Sequence, residues 1–380
     1  MLGARGTGKS TLLRSIIPKE NTLWIDLLRP EEEDFYAIRP EGLSERLDEM
    51  SDAPQWVVID EVQKSPKLLD VVHHEIENRK IKFALTGSSA RKLKRGGANL
   101  LAGRAFVNHL YPLTFIEIGE RFNLLDALSW GTLPAVVNYS EEAQRHAFLN
   151  SYVNTYLKEE IVQEQLVRHV VPFRKFLPIA SQLSGTILNY NSIANDLGVD
   201  WSTVKNYFEI LEDTLLGFEI PAYSRSLRKQ QLKSSRFYIF DVGVKRALDR
   251  TLSLKPTTGQ LIGPLFEHLV ISEIYRLNEY CKTDFTLAYL ATQAGLEIDL
   301  VVDRPGAKPA LVEIKSAERV TDKHLRHLHA VANEFPEYEA FCLCREKVAR
   351  KVARVHVLPW DQGILELGLV PPARDRRLPS

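Results

Sequence analysis

Apolar positions in the first third of the chain fall in short unbroken runs, separated by amphipathic stretches. Thr22-Leu23-Trp24-Ile25-Asp26-Leu27-Leu28, Trp56-Val57-Val58-Ile59 and Ile81-Lys82-Phe83-Ala84-Leu85 each read as a strand. The continuous β-branched character of the second is that of a strand buried on both faces of a parallel sheet. Residues 40–50 and 67–78 between them have helical spacing. From Glu141 to Gln182 the period is helical, with Phe148, Tyr152, Tyr156 and Ile161 on one stripe. Residues 190–208 then fit a helix-turn-helix: Ala194 is small where two helices cross, Gly198 supplies the turn and Val204 packs inward. Ser202 and Thr203 are expected to cap its second helix. Phe237 to Asp241 reads as a strand with an acidic tip, 263–279 as a helix, and 286–290, 296–303 and 310–316 as strands. A helix over 323–335, two terminal strands and a frayed tail around Arg374 close the pattern.

The candidate chemistry begins almost at once. Gly3-Ala4-Arg5-Gly6-Thr7-Gly8-Lys9-Ser10-Thr11 fits the phosphate-binding loop pattern of Gly, four residues, Gly-Lys-Ser/Thr. Gly3, Gly6 and Gly8 let the backbone fold into a concave loop whose N–H groups reach phosphate oxygens, and Thr7 and Thr11 flank it. Lys9 would reach the β and γ phosphates of ATP and the Ser10 hydroxyl would bind Mg²⁺. The strand at Trp56 ends in Asp60-Glu61, at the strand tip where α/β proteins place ligands. Asp60 would complete the Mg²⁺ shell and Glu61 would polarise the attacking water. The next strand ends in Thr86 and Ser88, either of which could sense the γ-phosphate, and Arg104 is a candidate arginine finger.

A second set lies near the other end. Asp299 on one strand is followed on the next by Glu313-Ile314-Lys315, the signature of the PD-(D/E)xK nuclease fold, and Glu267 matches the acid that many members add from a helix. Alternation puts Glu313 and Lys315 on one face of their strand. Asp299, Glu313 and Glu267 would hold Mg²⁺ or Mn²⁺, and Lys315 would orient water or stabilise charge on a phosphate.

Bulk properties narrow the partners. Of 380 residues, 44% are apolar and 26% charged with zero net charge, so no global field draws the protein to nucleic acid or membrane. DNA must then be met by local features. These are Trp201, Ser202, Thr203, Lys205 and Asn206 on the second helix of the helix-turn-helix, and the stretch 225–236, basic without an acidic residue. Cys281, Cys342 and Cys344 show no metal-ligand spacing and fit a reducing cytoplasm. No run is apolar and long enough to span a bilayer, and no signal peptide is visible.

The loop, Ile59-Asp60-Glu61-Val62-Gln63, Leu85-Thr86-Gly87-Ser88, Ala102-Gly103-Arg104, Tyr111-Pro112-Leu113 and Gly131-Thr132-Leu133-Pro134 together resemble the bacterial and archaeal AAA-type ATPases that carry a C-terminal DUF4143 domain. The resemblance implies an α/β multidomain chain in three parts. Residues 1–120 form a P-loop parallel-sheet ATPase core. Residues 121–223 form a helical middle with a winged helix-turn-helix at about 188–220, and 224–380 a PD-(D/E)xK nuclease-like α/β domain. It also implies an ATPase of a class that often completes its site in trans, in a homo-oligomer. Family members carry a helix and a strand before the loop, whereas Met1 and Leu2 alone precede it here, so the sheet is expected to lack its middle strand. Two functions follow: an ATPase coupled to a DNA-cleaving site, or a nucleotide-controlled DNA- or protein-binding switch on an inert nuclease scaffold.

Overall fold

The computed structural model describes residues 1–79, 81–88, 105–156, 170–224, 234–257, 261–292 and 295–370. The expectations for Arg104, for 225–233 and for the C-terminal tail fall outside these residues. Within them, no helix is long and apolar enough to cross a membrane.

The N-terminal unit is a parallel sheet with helices packed on it. Helix α1 (Lys9–Ile16) leads to β1 (Thr22–Asp26), then α2 (Pro30–Ile38), α3 (Gly42–Asp48), β2 (Trp56–Asp60), α4 (Leu68–Asn78) and β3 (Lys82–Leu85). The strands lie in the order β1-β2-β3, with Asp26 beside Asp60 and Ile59 beside Leu85. Val57, Val58 and Ile59 are fully buried, as their unbroken apolar run requires. Helix α2 carries signals that periodicity alone does not register: Pro30 in its first turn and Glu31, Glu32 and Glu33 beside its N-terminus. Beside β3, the place of a further strand is held at one end by Leu2, which bridges in parallel to both Gly87 and His109. The Met1 ammonium donates to Leu85 O at 2.6 Å and Leu110 N to Leu2 O at 2.7 Å. An apolar cleft of about 690 Å³ opens there, lined by Ile17, Phe83, Leu85 and Val107 among others.

The middle of the chain is helical. It comprises α5 (Phe115–Ile118), α6 (Leu124–Trp130), α7 (Pro134–Asn138), α8 (Glu142–Ser151) with a π-turn over Tyr152–Tyr156, and α9 (Val170–Gln182). The helix-turn-helix follows as α10 (Tyr190–Leu197) and α11 (Trp201–Asp213). Gly198 turns between them at φ 65, and Ala194 and Val204 are buried as expected. The cap of α11 differs from expectation. Asp200 occupies it, without a side-chain cap hydrogen bond, and Ser202 and Thr203 lie within the first turn. An antiparallel pair, β4 (Gly217–Ile220) and β5 (Arg236–Ile239), follows.

Asp241 is not a strand tip. It caps α12 (Val242–Leu248), accepting from Val244 N at 3.0 Å and from Thr132 N at 2.8 Å. The long helix α13 (Ile262–Cys281) then packs on a six-stranded mixed sheet of order β10-β11-β9-β8-β7-β6. Its members are β6 (Thr286–Ala291), β7 (Glu297–Asp303), β8 (Ala310–Lys315), β9 (Glu339–Cys344), β10 (Arg350–Val352) and β11 (Val355–Pro359), with α14 (Asp322–Glu334) and α15 (Trp360–Glu366). The C-terminal end thus holds three strands and a helix where two strands were expected. Antiparallel β7 and β8 pair Leu300 with Val312, and one step further along that register sets Asp299 opposite Glu313.

Candidate functional sites

The first site is built on the loop before α1. Gly6 and Gly8 adopt φ 81 and 94, a left-handed conformation that L side chains resist. Gly8 is the N-cap of α1, whose unpaired N–H groups face back toward the loop. Gly3 has a different reason: a Cβ there would sit 2.5 Å from Leu110 O. Lys9 is buried and donates to Gly3 O at 2.8 Å and Ala4 O at 3.3 Å, while Thr7 Oγ1 donates to Ala4 O at 2.8 Å. Ser10 is half-buried and Thr11 exposed at the start of the helix.

The neighbouring strand tips complete this site. Thr86 Oγ1 donates to Asp60 Oδ1 and accepts from Glu61 N at 3.0 Å, so one hydroxyl ties the tips of β2 and β3. Glu61 sits at φ 60, unusual for a residue with a side chain, and its Oε1 lies 3.7 Å from Lys9 Nζ. Gln63 Nε2 donates to Glu61 Oε2 and, at 2.8 Å, to Ser88 Oγ. Lys9, Asp60, Glu61 and Thr86 are thereby gathered as the sequence implied. The structure adds Gln63, whose role no spacing signalled. It also adds Tyr152, whose hydroxyl donates to Arg5 O at 2.9 Å and whose ring lies against Gly6.

The second site lies between α13 and the tips of β7 and β8. Glu313 Oε1 and Lys315 Nζ are 2.5 Å apart, the contact that period-two alternation predicts. Asp299 Oδ2 accepts from Ile314 N at 2.7 Å. Glu267 Oε1 accepts from Tyr238 OH at 3.3 Å and lies 3.6 Å from Arg236 Nη1. Burial, reinforced by Asp299, pushes Glu267 up to about 7 and Glu313 up to about 8. Asp299 is raised by burial too. Burial opposes the Lys315 charge, but Asp299 and Glu313 outweigh it and hold the ammonium above its ordinary value. The donor set is three hard carboxylates, and Glu313 Oε2 is buried with no hydrogen-bond partner, a deficit that a cation would relieve. Yet no three His, Cys, Asp or Glu side chains among the described residues are drawn together tightly enough to hold an ion. No spacing signalled Tyr238, and Arg236 was expected only as the end of the basic stretch 225–236; both come from β5, ahead of the segment 262–362 that carries the acids.

The expected DNA-facing helix presents Trp201, at 55% exposure, with exposed Ser202 and Lys205, and Thr203 and Asn206 half-buried. Lys205 stands within 4.0 Å of Glu209.

A phosphate-type loop ahead of a helix and an acidic strand tip within reach of its lysine define the class of P-loop nucleotide-binding proteins. Family models divide the chain accordingly: residues 1–119 match the AAA domain, 121–257 a domain of unknown function (DUF8612) and 262–362 another (DUF4143). The chain thus carries an AAA-type domain at residues 1–119 and a C-terminal DUF4143 domain at 262–362. An uncharacterized protein of Mycobacterium tuberculosis is 25% identical over 322 residues, covering 83% of this chain and 69% of the relative. One of Haemophilus influenzae is 22% identical, covering 64% and 67%. Among solved structures, the ORC1 protein of Aeropyrum pernix in complex with DNA matches 67% of this chain and 86% of its own, at 12% identity and a TM-score of 0.28. A score this low does not establish a shared fold.

Proposed function

We propose that the chain is a Mg²⁺-dependent ATPase whose middle region couples nucleotide state to a C-terminal, metal-dependent, DNA-acting site. The observation that carries this reading is the approach of Glu61 to within 3.7 Å of Lys9 in the AAA-matching segment. In that arrangement the loop N–H groups and the start of α1 hold the phosphates. Lys9 exchanges the carbonyls of Gly3 and Ala4 for phosphate oxygens, a swap of neutral acceptors for charged ones. Ser10 and Asp60 would hold Mg²⁺, which supplies charge neutralisation. Glu61, steadied by Gln63, orients the attacking water, and Thr86 reads the γ-phosphate between Asp60 and Glu61. Arg104 would supply the arginine finger, within the chain or across a homo-oligomer.

At the second site Asp299, Glu313 and Glu267, once drawn closer than they stand here, would hold Mg²⁺ or Mn²⁺, which would lend Lewis acidity toward a phosphodiester. Lys315 would place the water or stabilise phosphate charge. The exposed face of α11 and the basic stretch 225–236 would meet the DNA backbone. ATP turnover by the wild type and by Lys9→Ala tests the first half: equal rates would remove the ATPase assignment. Cutting of linear, branched and single-stranded DNA with Mg²⁺ or Mn²⁺ and ATP, compared with Asp299→Ala, tests the second.

A second reading, a nucleotide-controlled DNA- or protein-binding switch on an inert scaffold, is favoured by the closed Glu313–Lys315 pair at 2.5 Å. ATP-dependent binding without cleavage under all those conditions would select it.

A further inference from the structure

Each carboxylate of the C-terminal site already has a partner inside the chain, and the placement of one partner is unexpected. Arg236 lies on β5, outside the segment 262–362 that carries the acids. Its side chain is 7% exposed. Nη1 lies 3.6 Å from Glu267 and Nη2 2.9 Å from Glu297 Oε2, and the guanidinium sits over the Tyr289 ring at 4.8 Å. Tyr238, on the same face of β5, donates to the same Glu267 oxygen that Arg236 approaches. On the far side Lys315 holds Glu313. Three acids, Glu267, Asp299 and Glu313, are therefore set against two cations, with Glu313 buried and Glu267 and Asp299 half-buried, and the acids are not drawn in toward one point.

We propose that Arg236 is a built-in counter-ion that keeps this site closed to divalent cations until a phosphodiester draws the guanidinium away. The inference rests on reading the site as one that takes a metal and a phosphodiester. A divalent ion entering beside Arg236 meets like charge only partly screened by water, and must also compete with Tyr238 and Arg236 for Glu267. A phosphodiester is the natural competitor for that guanidinium, because its two oxygens match the planar fork as a carboxylate does. Arg236 also ends the basic run that begins at Arg225 in the sequence. A purely architectural clamp between β5, α13 and β7 would use the same contacts, but the two roles differ in sign. Removing a clamp loosens the carboxylates and weakens metal binding. Removing a competitor strengthens it.

The test is Mn²⁺ binding to the full chain by calorimetry, with and without a short DNA duplex, for the wild type, Arg236→Gln and Arg236→Lys. Asp299→Asn identifies the site-specific signal. Without DNA, Arg236→Gln is expected to bind Mn²⁺ roughly five-fold more tightly than the wild type, the scale of one partly screened charge pair. Arg236→Lys, which keeps the charge, is expected to stay near wild type. The duplex is expected to tighten Mn²⁺ binding by the wild type and not by Arg236→Gln. Equal or weaker Mn²⁺ binding by a folded Arg236→Gln, or a duplex that leaves the wild type unchanged, would overturn the proposal. If Arg236→Gln misfolds, the duplex effect on the wild type decides alone. If no Asp299-dependent binding is seen in any variant, the metal reading beneath fails first and takes the proposal with it.

Discussion

Glu212 shows how one side chain can make the fold depend on pH. It ends α11, half-buried, and accepts from Glu219 N at 3.1 Å, while Glu219 itself accepts from Tyr190 OH at 3.2 Å. Burial, with Glu219 next, raises Glu212 from 4.5 to about 7. The folded state therefore holds a proton that the unfolded chain has released. Stability is undiminished below about 4.5, falls as pH rises through that window, and the full penalty is present above about 7. Glu212→Gln keeps the acceptor and removes the charge. It should raise unfolding stability at pH 8 by about 2 kcal/mol, discounted for partial exposure, and leave it unchanged at pH 4. Urea unfolding at the two pH values reads this directly, and an equal gain at both would show that Glu212 is not the titrating group.

At the level of elements, the turn Gly131–Pro134 and the start of α12 fix one another. Gly131 adopts φ 75, and a Cβ there would lie 2.2 Å from Asp241 Oδ1. Gly131→Ala should destabilise by about 3 kcal/mol or more, since neither backbone nor partner can move. Gly198→Ala, at φ 65 with nothing within 4 Å, carries only the conformational cost of about 1–2 kcal/mol. Comparing the two by urea unfolding separates backbone strain from steric exclusion; similar losses would contradict the packing around Asp241. This junction also marks how far the sequence could be read. Strands β1, β2 and β3, helices α10, α11 and α13, and the Asp299–Glu313 adjacency were legible because they rest on local period and on neighbouring strands. The role of Asp241 was not, because its partner Thr132 lies 109 residues away. The same holds for Tyr152 on Arg5, 147 residues away, and for Arg236 on Glu297, 61 away. The cap of α11 was misplaced by two residues because Asp200, Ser202 and Thr203 all have capping chemistry, and only backbone conformation chooses among them.

Across the whole molecule, the phosphate-type loop belongs to two cores. Leu2 packs with the parallel sheet, beside Leu23, Ile25 and Ile59. Ala4, two residues on, is buried in the cluster of the middle region with Trp130, Leu133, Tyr152 and Phe240. Tyr152 ties the loop backbone to the π-turn, and its ring meets Phe240, whose carbonyl accepts from Arg276 of α13 at 2.6 Å. A ligand that orders the loop should therefore stabilise more than the N-terminal sheet. Anything that binds only the folded state adds roughly 2.7 kcal/mol at a hundred times its dissociation constant. Here that gain is expected to be shared with segments that never touch the nucleotide. In hydrogen exchange, ATP with Mg²⁺ should slow amides over 148–156 and 236–248 as well as over the loop. Tyr152→Phe should keep the slowing at the loop and lose part of it at 236–248, because the ring contact remains while the tie to Arg5 is gone. Slowing confined to 1–16 would mean that the loop opens and closes as part of the sheet alone, and nucleotide state would then have no route through Tyr152 to β5 and the acids beyond it.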